Sequence, residues 1–192
     1  MKNVIILGAS GNIAQHVIDI LIKKDDINLT LYVRNAHRLR NKNISKCRII
    51  EGSVLESKKL KDAIAGQDIV YGNLAGDLEA MASNIVMAMK ERGVNKLIFI
   101  SSIGIYDTPV RSVLQPYRKA ADVIEASTLD YTILRPTWFS NADEVDYETT
   151  RKGEPEKGSV ISQKSLAALI VNIIISPEKY VRENLGVNKP NS

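Results

Sequence analysis

Along the chain, short apolar β-favouring runs alternate with longer stretches whose apolar residues recur at three- and four-residue spacing. The runs at 4–7, 29–33, 48–50, 69–71, 97–100 and 132–134 predict strands, and several are too continuously apolar to keep one face in water. The spacing predicts helices near 12–24, 56–65, 77–92, 114–127 and 165–175. Strand alternating with helix along the chain implies an α/β protein: a Rossmann-type, doubly wound, mostly parallel sheet with helices on both faces. The polar stretch 141–158, acidic and then basic with Gly153 and Pro155, reads as a loop or small cap. The whole of 1–192 is expected to form one domain, with a small substrate-side cap over about 136–192.

Composition narrows this picture only a little. With 44% hydrophobic and 25% charged residues, the 192-residue chain is of ordinary globular type. Its net charge of +4 comes from Lys and Arg scattered among acids, so no nucleic-acid partner is expected. A single cysteine, Cys47, allows no internal disulfide. No apolar run reaches membrane-spanning length and MKNVIILG lacks a secretory pattern, so a cytoplasmic monomer or dimer without a membrane partner is expected.

The chemistry starts at ILGASGNIAQHV. Small residues between a first strand and a first helix are either a bare tight turn or a phosphate cradle, in which backbone N–H groups and the helix dipole converge on a pyrophosphate. The order strand, glycines, helix at the head of an alternating chain favours the cradle, with Gly8, Ser10, Gly11, Asn12 and Ile13 in it and Ala14 where close packing is needed. About 20 residues on, LYVRNAHRLR offers Arg34, Asn35 and Arg38 where a ribose-binding acid usually stands. Donors there suit an anion, so NADP(H) is favoured over NAD(H), with Arg34 and Ser10 reaching the 2′-phosphate.

Together GASGNIA, YVRN, NLAG, FISSIGIY, STLDYTILRPTWF and GSVISQKSLAALIV resemble the atypical short-chain dehydrogenase/reductases of the NAD(P)H-binding, NmrA-like group, which includes flavin reductases similar to biliverdin reductase B. The resemblance implies a nicotinamide cofactor and hydride transfer to a small planar acceptor. It assigns Ser53 and Val54 to the adenine end, although Ser53 replaces the family's Asp. Asn73, Leu74, Ala75 and Gly76 are expected along the cofactor, with Gly76 equally suited to starting the next helix. Ser102 matches the family's active-site serine, and Ser101 beside it either contacts the cofactor or satisfies the strand end. Pro136 belongs to the segment expected under the nicotinamide, followed by Trp138 and Phe139, each either core or the floor of an acceptor pocket.

Tyr117 departs from the wider superfamily, where a Lys follows the tyrosine by four residues and favours its ionised form. In YRKAAD that position is Ala121, and Lys119 points to another side of a helix. A proton relay through Tyr117 is therefore expected to be absent, consistent with a flavin-reductase-like branch in which water supplies the proton. His16 and His37 have no third ligand at metal spacing, so no metal is expected. Met81, Met87 and Met89 read as packing, and Asp143, Glu144, Asp146 and Glu148 as solvated loop. Two other functions stand beside the reductase: a non-catalytic NADP-binding redox sensor and, behind it, a sugar-nucleotide epimerase or dehydratase.

Overall fold

A computed structural model describes residues 1–41 and 43–192. Its sheet contains β1 (Lys2–Leu7), β2 (Ile27–Val33), β3 (Arg48–Glu51), β4 (Ile69–Gly72), β5 (Lys96–Ile100) and β6 (Asp130–Pro136). A short β7 (Trp138–Ser140), β8 (Glu148–Arg151), β9 (Val160–Ser162) and β10 (Glu183–Asn188) follow. The helices are α1 (Asn12–Leu21), α2 (Ser57–Ile64), α3 (Leu78–Arg92), α4 (Gln115–Glu125) and α5 (Gln163–Ile175). The strand order is β3-β2-β1-β4-β5-β6-β10-β8, all parallel except β8, while β7 and β9 pair as a separate parallel ribbon. This is the Rossmann-like architecture that the alternation implies.

Burial on both faces explains the continuous apolar runs. Val4, Ile6, Leu31, Tyr71, Ile98 and Leu134 join a cluster with α1 and α5, while Ile5, Leu7, Val70, Leu97, Phe99 and Ile133 join one with α2, α3 and α4. Strand side chains alternate, so the central strands β1, β2, β4, β5 and β6 each feed both cores. Helix ends follow local chemistry. Asp77 caps α3 by accepting from the Ala80 N–H at 3.2 Å, and Ser162 caps α5 by accepting from the Ser165 N–H at 2.9 Å. Gly93 ends α3 at φ +67° in the left-handed region, where glycine carries no Cβ penalty.

The carboxyl-terminal third differs from the sequence reading in detail. The stretch 141–158 contains β8, which closes the sheet edge antiparallel to β10. β10 itself has no counterpart in the sequence reading, because ENLGVN carries Asn, Glu and Gly, residue types depleted in strands. Its Leu185 and Val187 enter the α1–α5 core, and its buried Asn184 and Asn188 are hydrogen bonded rather than apolar. Of the segment expected as a cap, α5 and β10 therefore belong to the main layers, and the β7–β9 ribbon stands outside the sheet. Met87 is 52% exposed and does not pack as expected, whereas Met81 and Met89 do. Among the described residues, no helix is long and apolar enough to cross a membrane.

Candidate functional site

A cleft of about 370 Å³ runs along the carboxyl edge of β1, β2, β3 and β4. Gly8, Ser10, Gly11, Asn12 and Ile13 line it at the β1–α1 turn. The turn is drawn tight by Gly8 and Ala9 N–H groups that both donate to the Tyr32 carbonyl, at 3.0 and 3.3 Å, and by Gly11 N–H donating to the Gly8 carbonyl at 3.0 Å. Gly8 has φ +80°, a conformation that favours glycine. α1 is entered through Gly11 with no side-chain cap, so among the described residues the N–H groups of its first turn, at Asn12 and Ile13, have no capping side chain.

Asn73 is the other half of this turn. Its N–H donates to the Leu7 carbonyl at 2.9 Å, so the chain leaving β4 lies against the chain leaving β1. A Cβ at Gly8 would fall on the Asn73 carbonyl, and one at Gly11 on the Asn73 Nδ2. The glycines are thus required by close approach of Asn73 as well as by any ligand. Leu74 and Ala75 continue the cleft wall.

At the far end stand Arg34 and Arg38, both exposed and without a carboxylate partner among the described residues. Their loop is held by Glu51, whose Oε1 accepts from the Ala36 N–H at 2.6 Å. Asn35 does not line the cleft; its Oδ1 accepts from the His37 N–H at 2.9 Å and caps the short turn at Ala36–Arg38. Gly52, Ser53 and Val54 form the opposite wall with Tyr32. The Ser53 hydroxyl oxygen accepts from the Leu55 N–H at 3.2 Å, and Tyr32 donates its hydroxyl to the Ser53 carbonyl at 3.1 Å. Burial, with the nearby Glu56 carboxylate as the smaller cause, pushes the Tyr32 phenol up to about 12, so it remains a donor.

Sequence reasoning left out Tyr32, Val33, Met81 and Gln163 as lining residues, and it offered Phe139 as either core or pocket floor; Phe139 lines the cleft. Tyr32 and Val33 are readable in principle, since they directly precede Arg34 at the end of β2. Met81, Phe139 and Gln163 come from α3, β7 and α5, elements whose approach to the cleft depends on tertiary packing. Gly76 lies outside the cleft lining, at φ +117° just before the Asp77 cap, so the structure gives it the helix-entry place.

The expected catalytic groups also lie outside the lining of this cleft. Ser101 and Ser102 follow β5, and Pro136 ends β6, where its carbonyl accepts from the Ile103 N–H at 3.1 Å. The Ser102 hydroxyl donates to the Ile103 carbonyl at 3.1 Å. Ser101 is 3% exposed, and its hydroxyl has no partner among the described residues. A buried hydroxyl without a partner costs free energy, which marks Ser101 rather than Ser102 as the unsatisfied group at this edge. Tyr117 is half-buried against the α2–α3–α4 core, and Lys119 turns away from it to pair with Glu79 at 2.9 Å. Among the described residues there is no gathered group of three metal-ligating His, Cys, Asp or Glu side chains. Asp143 pairs with Lys164, and Glu144 with Lys189 at 2.8 Å.

The sequence model of a family described as NAD(P)H-binding matches residues 8–177. Among solved structures, the chain is similar to a Rossmann-fold NAD(P)-binding family protein from Shigella flexneri, at 48% identity and TM-score 0.94, covering 100% of this chain and 95% of that one. It is similar to a short-chain dehydrogenase/reductase from Veillonella parvula in complex with NADP, at 29% identity and TM-score 0.90, covering 99% and 95%. The anaerobilin reductase ChuY of Escherichia coli O157:H7 shares the fold, with TM-score 0.86 at 14% identity over 100% of this chain and 98% of that one.

Proposed function

Because this chain belongs to the NAD(P)H-binding family, we propose that it is an NADPH-dependent reductase that passes hydride to a small planar acceptor such as a flavin or a quinone. One observation carries the reading. The first turn of α1, which has no side-chain cap, and Arg34 and Arg38, without a carboxylate partner among the described residues, line one cleft, whose two ends suit the two anionic groups of NADP.

In this reading the Asn12 and Ile13 N–H groups, with Ser10, hold the pyrophosphate, and Arg34 and Arg38 flank the 2′-phosphate. Tyr32, Gly52, Ser53 and Val54 enclose the adenine end. Asn73, Leu74 and Ala75 lie along the middle, leading toward Ser101 and Pro136 at the edge of β5 and β6. When bound, NADPH would supply a hydride to the acceptor, and a single proton drawn from water would complete the two-electron reduction, leaving NADP⁺ and the reduced acceptor. The chain orients the partners and needs no tyrosine relay. The NADP held by the Veillonella parvula relative supports the choice of dinucleotide.

The test is NADPH consumption with a panel of flavins, quinones and simple carbonyls. Saturable turnover with a flavin or a quinone is expected. Tight NADP(H) binding with no turnover on any acceptor would overturn the reading in favour of a redox sensor.

A further inference from the structure

Over most of the chain Lys and Arg are interspersed with acids, but between Ile27 and Ile50 they are not. That segment holds six of the 26 Lys and Arg, at positions 34, 38, 40, 42, 46 and 48, and none of the 22 acids. The rest of the chain is therefore net negative, and the positive charge of the molecule is concentrated in this one segment. Arg34, Arg38, Arg40, Lys46 and Arg48 are all exposed, and among the described residues none of them forms an ion pair. Like charges held close repel one another and work against the compact state, so stability does not explain this density.

The fold gathers these cations at one corner. The chain leaves β2 after Val33, passes through short helical turns at Ala36–Arg38 and Ile44–Lys46, and returns as β3 at the edge of the sheet beside β2. Arg34 and Arg38 line the coenzyme cleft, and Arg40 lines a polar recess that shares Asn12 and Gln163 with it. Lys46 and Arg48 line neither. Two carboxylates beside the segment are taken up without pairing its cations. Glu51 Oε1 accepts from the Ala36 N–H at 2.6 Å, and Asp19 Oδ1 accepts from Asn41 Nδ2 at 2.9 Å. The field of the segment is thus left unneutralised at the Arg34 end of the cleft.

Arg34 and Arg38 are enough to flank one phosphate. We propose that the cations outside the cleft, Arg40, Lys46 and Arg48, form an electrostatic funnel that draws the dinucleotide phosphate in from solution, setting how fast it is captured rather than how tightly it is held. This rests on the reading of the cleft as an NADPH site. The coenzyme carries both a phosphate monoester and a pyrophosphate, so it feels such a field strongly. Charges of one sign along an approach raise association rates by roughly 10- to 1000-fold, an effect that salt screens. The segment stands at the end of the cleft that takes the 2′-phosphate and not at the edge of β5 and β6, so the funnel acts on the coenzyme and not on the acceptor.

The test follows NADPH fluorescence in a stopped-flow as the coenzyme binds the full chain, for the parent and for Arg40→Gln, Lys46→Gln and Arg48→Gln combined. At about 20 mM salt the association rate of the variant is expected to fall on the order of 10-fold, the dissociation rate to change less than about 2-fold, and the difference to vanish near about 0.5 M salt. The charge-conserving combination Arg40→Lys, Lys46→Arg and Arg48→Lys should keep the parental rate, which a role in side-chain shape would not allow. NADH, which lacks the monoester, should lose less than NADPH. An unchanged association rate at low salt overturns the funnel, and binding of a short DNA duplex by the parent but not the variant would then assign the patch to a nucleic acid. A loss that lies in the dissociation rate and persists at high salt also overturns it, since the cations would then be direct contacts. Charge-dependent capture without turnover on any acceptor leaves the funnel standing while the reductase reading fails. A parent that does not bind NADPH overturns both.

Discussion

Arg135 is 1% exposed, and its Nε lies 2.9 Å from the Oε1 of Glu156, a residue of the chain between β8 and β9. Asn184 Oδ1 accepts from the same guanidinium at 2.5 Å, and the ring of Tyr106 lies 5.3 Å from it. A buried guanidinium cannot shed its charge, so Glu156 supplies the neutralising carboxylate. Because Glu156 Oε2 also accepts from the Gly104 N–H at 3.1 Å, the pair joins the end of β6 to the loop after β5.

Glu156→Ala is expected to cost roughly 2–4 kcal/mol in urea unfolding, somewhat less than a fully buried pair because the Glu156 side chain keeps 24% exposure. Pairing it with Arg135→Met should recover a large part, since no charge is then left buried. A loss below about 1 kcal/mol for Glu156→Ala would show that solvent neutralises Arg135 instead.

Gly11→Val is expected to weaken NADP binding by 10-fold or more, on the order of 1.4 kcal/mol, in a protein that still folds. The side chain would meet Asn73 Nδ2 as well as the pyrophosphate. Gly11→Ala combined with Asn73→Ala separates the two causes. It should restore thermal stability without restoring affinity, whereas full recovery of affinity would place the conflict at Asn73 alone.

Tyr117→Phe should retain most turnover with a flavin acceptor, well short of the roughly 100-fold loss that removal of a general acid produces. Lys119, the nearest amine in sequence, is engaged with Glu79. A drop of several hundredfold in kcat would make Tyr117 a proton donor.

Lys96 is 6% exposed, and its Nζ donates to Thr132 Oγ1 at 3.0 Å and to the Lys179 carbonyl at 3.2 Å. Burial lowers its ammonium to about 8, opposed by the nearby Asp130 and Glu178 carboxylates. Between about pH 8 and 10.5 the unfolded chain therefore binds more protons at this site than the folded one, and this group's contribution to stability rises with pH. The stability of the parent minus that of Lys96→Met should increase by on the order of 2–3 kcal/mol between pH 7 and 10.5. A difference independent of pH would mean that Lys96 titrates alike in both states.

The alternation of strand and helix, the glycine turn and the Arg34 loop were legible in the sequence because each is local: a run of apolar residues, a turn chemistry, a charge at a strand end. β10 was not, since Asn184 and Asn188 are buried through hydrogen bonds to Glu125 and Glu148 that lie far away in sequence. The places of Met81 and Gln163 in the cleft were hidden for the same reason. Trp138 and Phe139 adjoin in one short strand and both are exposed, at 74% and 48%, yet of the two only Phe139 lines the cleft, which their adjacency in sequence does not reveal. Which of the Ser101 and Ser102 hydroxyls finds a partner is a matter of ångströms that spacing does not encode.

The proposed reductase grips the 2′-phosphate of NADPH with Arg34 and uses the bound coenzyme to reduce a planar acceptor. The most direct measurement is the ratio of kcat/KM for NADPH to that for NADH, with FMN as acceptor, in the parent and in Arg34→Ala. The parent should favour NADPH by on the order of 10- to 150-fold, a preference that falls with added salt. Arg34→Ala should lose most of that preference through NADPH alone, leaving NADH nearly unchanged. Equal use of both coenzymes by the parent, or an equal loss of both in Arg34→Ala, would contradict the account.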